Sequence, residues 1–273
     1  AFQLKPKLDK VPSRPRDILI MISTAASMAG ENFIAANQIA EAVAKDAGAD
    51  DRISIWTVST PEATRCLTKV KDNEFADRSE VMKTTPDRPT GVPAIDKALT
   101  TLKDKVYPAG DTDLKGALTK AVASFDGDAG RQRILLFLGD GQSTHNPIAG
   151  IERGLIAKEM VARKVAFFPV PMGLALNFEN LHGLAVGTGG AVLRIEAGKE
   201  EVRMALARFK EAFAAPIVYG AKLTLPKEVI AAYPTALPPL RSDTPTLVVG
   251  TMKPAKTIDY TVSGTLAAKR PTP

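Results

Sequence analysis

Three side chains that could support nucleophilic or acid–base chemistry stand close together in the sequence. Asp140, Ser143 and His145 follow the apolar run 133–138, within the segment Gly-Asp-Gly-Gln-Ser-Thr-His. Catalytic triads are assembled by folding from separate parts of a chain, so closeness in sequence says little about one. Because no Gly-x-Ser-x-Gly elbow is present either, the sequence does not predict a hydrolase or any other enzyme.

Glycine-rich loops that hold phosphate groups are also missing from the sequence. Neither Gly-x-x-x-x-Gly-Lys-Ser/Thr nor Gly-x-Gly-x-x-Gly follows a predicted strand. The segment Gly187-Thr-Gly-Gly190 precedes an apolar run instead of a helix, so it lacks the helix N-terminus that binds phosphate. These absences argue against a nucleotide-binding protein.

Further polar side chains stand where an apolar run gives way to a helical pattern, in residues 17–30. The run 18–22 predicts a buried parallel strand, and the hydroxyls of Ser23 and Ser27 follow it in a turn of small residues. Open α/β sheets place their binding sites at such strand-to-helix junctions. Ser23 and Ser27 are therefore candidate site residues.

Apolar runs and helical patterns alternate through the first 214 residues and position these side chains. This alternation predicts an α/β fold with a doubly wound, mostly parallel sheet that helices cover on both faces. The predicted strands are 18–22, 53–58, 133–138, 165–170 and 191–195. The predicted helices begin near residues 31, 94, 114, 147, 178 and 200, with Thr112 or Asp111 as the cap of the third.

The pattern changes at Pro216. Short β-type runs at 217–225, 246–251 and 257–262 are divided by a proline-rich segment, which predicts a small C-terminal antiparallel β module. We therefore expect a main domain over residues 17–214 and a β-sandwich-like appendage over 215–266. Residues 1–16 and 267–273 are predicted to be connecting segments.

Charge and composition exclude several classes of partner. Of the net charge of +6, residues 1–16 contribute five Lys or Arg against one Asp, and residues 253–273 contribute four against one. The basic character thus belongs to the ends, and with 5% aromatic residues it does not predict a nucleic-acid-binding face. No apolar stretch approaches the roughly 20 residues that span a bilayer, so we expect no membrane insertion of this chain. The single cysteine, Cys66, excludes an internal disulfide.

Five segments in order over residues 17–214 resemble the von Willebrand factor A domain. They are 51–58, Gly110-Asp-Thr-Asp-Leu114, Leu138-Gly-Asp-Gly141, 165–173 and 184–190. Segments 215–218, 232–240 and 245–250 are similar to the β segment that follows this domain in inter-alpha-trypsin inhibitor heavy chains and their bacterial relatives. Those proteins carry another β domain before the A domain, so the resemblance implies that residues 1–16 are the exit strand and linker of a missing upstream domain.

The resemblance also implies a divalent-cation site in an altered form. The family's first strand ends in Asp-x-Ser-x-Ser, and its Ser and Thr hydroxyls coordinate the ion beside two Asp carboxylates. Ser27, Thr112 and Asp140 match these ligands, whereas Ser23 replaces the first Asp and Ala25 the first Ser. Each lost contact with the ion is worth on the order of several kcal/mol.

We therefore predict a vestigial site, formed by these five residues, that holds no metal or other cofactor. Weak Mg²⁺ binding is one alternative. A second alternative is that Ser27, Thr112 and Asp140 only cap helices and satisfy loop amides.

The function expected from the resemblance is a non-enzymatic protein–protein interaction or adhesion module within a larger surface or envelope protein. Its localisation would be extracellular, at the cell surface or periplasmic. The expected partner is a protein, bound at a rim that consists of Ser23, Ser27, Thr112, Asp140 and His145. The alternative is a structural subunit of a larger assembly, which packs through its termini and the β appendage.

Overall fold

A computed structural model of the chain describes residues 1–8, 13–69, 74–78, 82–125, 130–195, 202–254 and 257–266. The strands are β1 (Phe2–Leu4), β2 (Arg16–Ser23), β3 (Arg52–Val58), β4 (Arg65–Cys66), β5 (Ala76–Asp77), β6 (Gln132–Gly139), β7 (Val165–Pro171), β8 (Ile217–Thr224), β9 (Val229–Tyr233), β10 (Leu240–Arg241), β11 (Thr246–Met252) and β12 (Thr261–Leu266). The α-helices are α1 (Glu31–Asp46), α2 (Pro93–Lys105), α3 (Leu114–Ser124), α4 (Gly150–Ala162), α5 (Phe178–Thr188) and α6 (Val202–Ala214).

The central sheet has the strand order β4-β3-β2-β6-β7, and β5 also pairs with β3. Strands β3, β2, β6 and β7 are parallel, while the short β4 and β5 run antiparallel to β3. The doubly wound, mostly parallel sheet predicted from the sequence is therefore confirmed. From β2 the chain first builds the sheet toward β3 and later crosses to β6 on the other side, so the carboxyl end of β2 is a topological switch point.

Both faces of the sheet are buried, which explains the unbroken apolar runs. In β2 the side chains of Ile18, Ile20 and Ile22 face a core formed with α1, α2 and α6. Leu19 and Met21 face the opposite core, formed with α3, α4 and α5. Successive side chains of a strand point to opposite faces, so the middle of a strand that is covered on both faces is apolar at consecutive positions.

One predicted strand does not form. Residues 191–195 run beside β7 without entering the sheet, and their backbone contact there is the hydrogen bond from Leu193 N to Pro169 O at 2.8 Å. Leu193 is nevertheless buried. The apolar run thus reflects burial against β7, and apolar character alone does not distinguish such a segment from a strand.

The C-terminal part forms two three-stranded antiparallel sheets, β1-β11-β9 and β10-β8-β12, which confirms the small antiparallel β module. The amino-terminal strand β1 pairs with β11, with Phe2 opposite Val248. The third β run predicted in this part, 257–262, was placed too early, since β12 covers Thr261–Leu266. Strand β9 was not predicted.

Arg241 of β10 fastens this module to the α/β layer. Its buried guanidinium donates to Gly189 O at 3.0 Å and to Ala212 O at 2.8 Å, which lie at the ends of α5 and α6. It also pairs with Asp243 at 2.6 Å and lies 5.5 Å from the centre of the Phe168 ring. One side chain therefore satisfies two helix-end carbonyls at the junction.

Candidate functional site

The carboxyl ends of β2 and β6 bring together two of the predicted rim residues. The Ser27 hydroxyl, in a single 3₁₀ turn after β2, donates to Asp140 Oδ2 at 2.5 Å across 113 positions of sequence. Asp140 directly follows β6 and is 2% exposed. Its other carboxylate oxygen accepts from Gln142 N at 2.9 Å, so both oxygens are satisfied within the protein.

A glycine allows the loop after β7 to close over this carboxylate. Gly173 has a φ of 118°, and a Cβ at this position would lie 3.1 Å from the Asp140 Cβ. In the same loop, Asn177 N donates to Asp140 O at 2.7 Å. Asp140 is therefore held through both its side chain and its main chain, which fixes the orientation of the carboxylate.

Thr112 lies in a separate set of contacts. Its amide donates to Thr144 Oγ1 at 3.0 Å, and its carbonyl accepts from His145 N at 3.0 Å. Thr112 is buried, and among the described residues no hydrogen bond joins it to Ser27 or Asp140. Thr112 thus fastens the loop after β6 to the segment that enters α3.

The cap of α3 is neither of the residues predicted for it. Asp113 is the N-cap and accepts from Gly116 N at 2.8 Å. Asp111 is exposed, and its carboxylate accepts from Thr144 Oγ1 at 3.2 Å instead. The error is one position for Thr112 and two for Asp111, which is within the usual uncertainty of a helix start predicted from sequence.

The Ser, His and Asp of the loop after β6 are not arranged as a triad. The Ser143 hydroxyl donates to Asn146 O at 2.6 Å and accepts from Lys115 N at 3.3 Å. His145 is exposed, and within the described part of the chain no hydrogen bond joins its ring to Ser143 or Asp140. Ser143 therefore serves to hold the loop and the start of α3.

The atoms available as metal ligands at the carboxyl end of β2 do not fit a hard divalent cation. Such an ion requires near-octahedral oxygen ligation with nearby carboxylates. Ser23 is fully buried and neutral, Ala25 offers a methyl group, and both oxygens of Asp140 already have hydrogen-bond donors. No cluster of three His, Cys, Asp or Glu suited to a metal occurs among the residues with described positions. We therefore assign no chemistry to a bound ion here.

Large apolar side chains are exposed in the loop after β7 and at the starts of α4 and α5, and they were not identified from the sequence. Leu174, in the loop after β7, is 87% exposed; Ile151, at the start of α4, is 83% exposed; Phe178, at the start of α5, is 55% exposed. The two loops meet where Gln142 Nε2 donates to Ala175 O at 3.0 Å. We call these three residues the apolar trio. The signal available in the sequence was Gly-Leu-Ala-Leu at 173–176, where two leucines occupy a strand-to-helix loop.

The fold is shared with solved structures of several proteins. A von Willebrand factor type A protein from Catenulispora acidiphila is 13% identical, with a TM-score of 0.57 over 94% of this chain and 65% of its own. An aerotolerance-related membrane protein from Bacteroides fragilis is 13% identical, with a TM-score of 0.52 over 72% and 98%. The human COPII-coat protein Sec24c is 12% identical, with a TM-score of 0.51 over 93% and 40%.

These similarities show that the chain has a von Willebrand factor A-type α/β fold. No protein-family model matches the sequence, and no curated protein matches it. Identities this low carry no information about activity, because one fold hosts many functions. Among the described residues, no helix is long and apolar enough to cross a membrane.

Proposed function

We propose that this chain is a non-enzymatic protein-interaction module that binds a protein partner at the rim without a divalent ion. The observation that carries the proposal is the exposure of the apolar trio on the segments that follow β6 and β7, where the Asp140 carboxylate is already satisfied. In the metal-dependent form of the site, a partner carboxylate completes the coordination of the ion. Here the apolar side chains would supply the binding free energy instead.

The trio has the chemistry of an interface centre. Burying apolar surface yields about 25 cal/mol per Å², so each large side chain contributes roughly 1.5–3 kcal/mol when a partner covers it. Single exposed apolar residues are common on protein surfaces, but three on the segments that follow neighbouring strands β6 and β7 are a stronger indication. The imidazole of His145 and the hydroxyl of Ser27 would add polar contacts at the edge of this surface.

The buried residues of the rim would act indirectly. Ser23, Thr112 and Asp140 are buried and shape the loops, so a partner would meet the loop surface and not these side chains. We propose that the site is vestigial with respect to metal and that it keeps a supporting role. An extracellular, cell-surface or periplasmic location within a larger protein remains part of this proposal, and it derives from the family resemblance.

Affinity capture from the source organism's extract tests the proposal. We expect the wild-type chain to retain a partner equally in Mg²⁺ and in chelator, and Leu174→Asp to lose it. Val186→Asp is the matched control, because Val186 is 58% exposed near the other end of α5. Loss of the partner on chelation, or capture by Leu174→Asp at the wild-type level, would refute binding at the rim.

A second function, assembly through the β module, is favoured by a different surface. Leu247 and Val249 of β11 and Tyr233 of β9 are exposed, and Val249 lies opposite Tyr233, so the outer face of the β1-β11-β9 sheet carries large apolar side chains. Leu247→Asp distinguishes the two functions. It should abolish capture if the chain assembles through this sheet, and it should leave capture unchanged if the partner binds at the rim.

A further inference from the structure

A cleft of about 650 Å³ separates α1 from α2 on the face of the sheet opposite α4 and α5. Residues 33–41 of α1 and 96–103 of α2 line its sides, and residues 86–89 and 106–108 contribute its ends. At 1.5 Å per residue, each helix lines it over roughly 11 Å, about two helical turns. We call it the α1–α2 cleft.

Two hydrogen-bond acceptors in residues that line this cleft have no donor among the residues that the structure describes. Asp96 is 4% exposed, and its Oδ1 accepts from Thr90 N at 2.9 Å and from Thr90 Oγ1 at 2.6 Å. Its Oδ2 is buried without a hydrogen-bond partner, and so is the Oδ1 of Asn37 on the facing helix. A buried acceptor left unsatisfied costs about 1–3 kcal/mol, and more when it is charged. Because both oxygens are closed to solvent, a ligand in the cleft would offset this cost through the attraction of a positive charge for the Asp96 carboxylate and not through a direct hydrogen bond.

The charge of the cleft points to a cation. Four carboxylates line it, those of Glu41, Asp87, Asp96 and Asp104, together with the ammonium of Lys103; Glu41 is already paired with Lys45 at 2.5 Å. Arg78 is close enough to Asp96 for its positive charge to attract the carboxylate. Within the described part of the chain, however, its guanidinium donates to Ala44 O at 2.6 Å and no donor contacts Asp96 Oδ2.

The walls of the cleft add apolar surface that is open to solvent. Ile34 on α1 is 58% exposed, and Tyr107, just after α2, is 77% exposed. Leu99 contributes a partly buried apolar side chain between them. A groove between two helices, with apolar walls and a few fixed polar groups, is a common way to bind an amphipathic segment of a partner.

We propose that the α1–α2 cleft binds a short amphipathic segment of another protein through one inserted Lys or Arg side chain. The cationic head group of that side chain lies among the carboxylates of Asp87, Asp96 and Asp104, and the apolar neighbours in the segment pack on Ile34 and Tyr107. The cleft shares no lining residue with the rim or the apolar trio, so variants in the cleft test this proposal independently of the proposed function.

The test is a selection of random displayed dodecapeptides on the immobilised full chain, followed by fluorescence anisotropy of the selected peptides. We expect them to share a Lys or Arg between apolar residues, and replacement of that residue by norleucine should weaken binding at least about tenfold. Ile34→Asp should weaken binding by a similar factor. The matched control is Val186→Asp, because Val186 has the same 58% exposure on α5 and should leave affinity unchanged.

Asp96→Asn, which keeps the shape and one acceptor, should also weaken binding of the basic peptides, with less effect on their norleucine forms. If Asp96→Asn fails to fold, Ile34→Asp still tests binding in the cleft, because the side chain of Ile34 is exposed. Selected peptides without a basic residue, or unchanged affinity in Ile34→Asp, would overturn the proposal. Competition by arginine methyl ester as strong as by the peptide would also overturn it, since the site would then bind a free cation and not a protein segment.

Discussion

The bond between Ser27 and Asp140 allows a quantitative test of how the site is held. Replacing Ser27 with Ala removes a 2.5 Å hydrogen bond to a carboxylate that is 2% exposed. Hydrogen bonds to charged groups contribute about 1.5–3 kcal/mol, and the carboxylate oxygen would lose its protein partner. We expect Ser27→Ala to lower the free energy of unfolding by about 2 kcal/mol, which corresponds to roughly 4–8 °C in Tm for a chain of this size.

Urea unfolding of Ser27→Ala, Asp140→Asn and the double variant measures this. The double-mutant cycle should give a coupling energy of about 1–2 kcal/mol, equal in Mg²⁺ and in chelator. Ser124→Ala is the matched control, because the Ser124 hydroxyl donates to the neutral Ala121 O at 2.7 Å and its loss should cost about 1 kcal/mol or less. The reasoning is refuted if Ser27→Ala costs no more than Ser124→Ala, or if the coupling appears only without Mg²⁺.

Three further perturbations test other parts of the structure. Asp17→Asn should cost about 3–5 kcal/mol in urea unfolding, because the fully buried Asp17 pairs with Arg52 at 2.6 Å and with Arg131 at 2.5 Å, and the change removes a carboxylate charge that both guanidinium groups share. Gly173→Ala should lower Tm, because φ at this position is 118° and the added Cβ presses on Asp140; a Tm at or above the wild-type value would contradict the loop geometry. The hydrogen bonds from Lys115 and from the Ala149 amide lower the pKa of Glu152 below 4.5. The free energy of unfolding should therefore fall as the pH drops from 4.5 through this lowered value. Glu152→Gln should reduce that pH dependence when urea unfolding is measured at several pH values.

The sheet could be predicted from the sequence because its strands are covered on both faces. Residues 18–22 and 133–138 form apolar runs, and a run of that length bounded by small residues is typical of a strand buried in a parallel sheet. Residues 191–195 show the limit of this pattern. They are apolar because Leu193 packs against β7, and burial without repeated backbone pairing leaves the same sequence pattern.

The candidate site could be predicted in its location but not in its surface. The end of β2 and the turn after β6 were identified from residues 23–27 and 139–141, because parallel strands share one carboxyl edge. Which side chains remain exposed there depends on how the loops close. From residue type alone, a leucine is expected to be buried and a threonine exposed, but Leu174 is exposed and Thr112 is buried. The reason is that Gly173 and the contacts of Thr144 determine how these loops fold.

Calorimetric titration of the chain with Mg²⁺ and Mn²⁺ tests the central claim most directly. If the rim works without a divalent ion, the heats should equal those of dilution, which places any Kd above about 1 mM. A micromolar Kd that disappears in Ser27→Ala would contradict the account, since Ser27 and Asp140 would then be coordinating an ion and not each other.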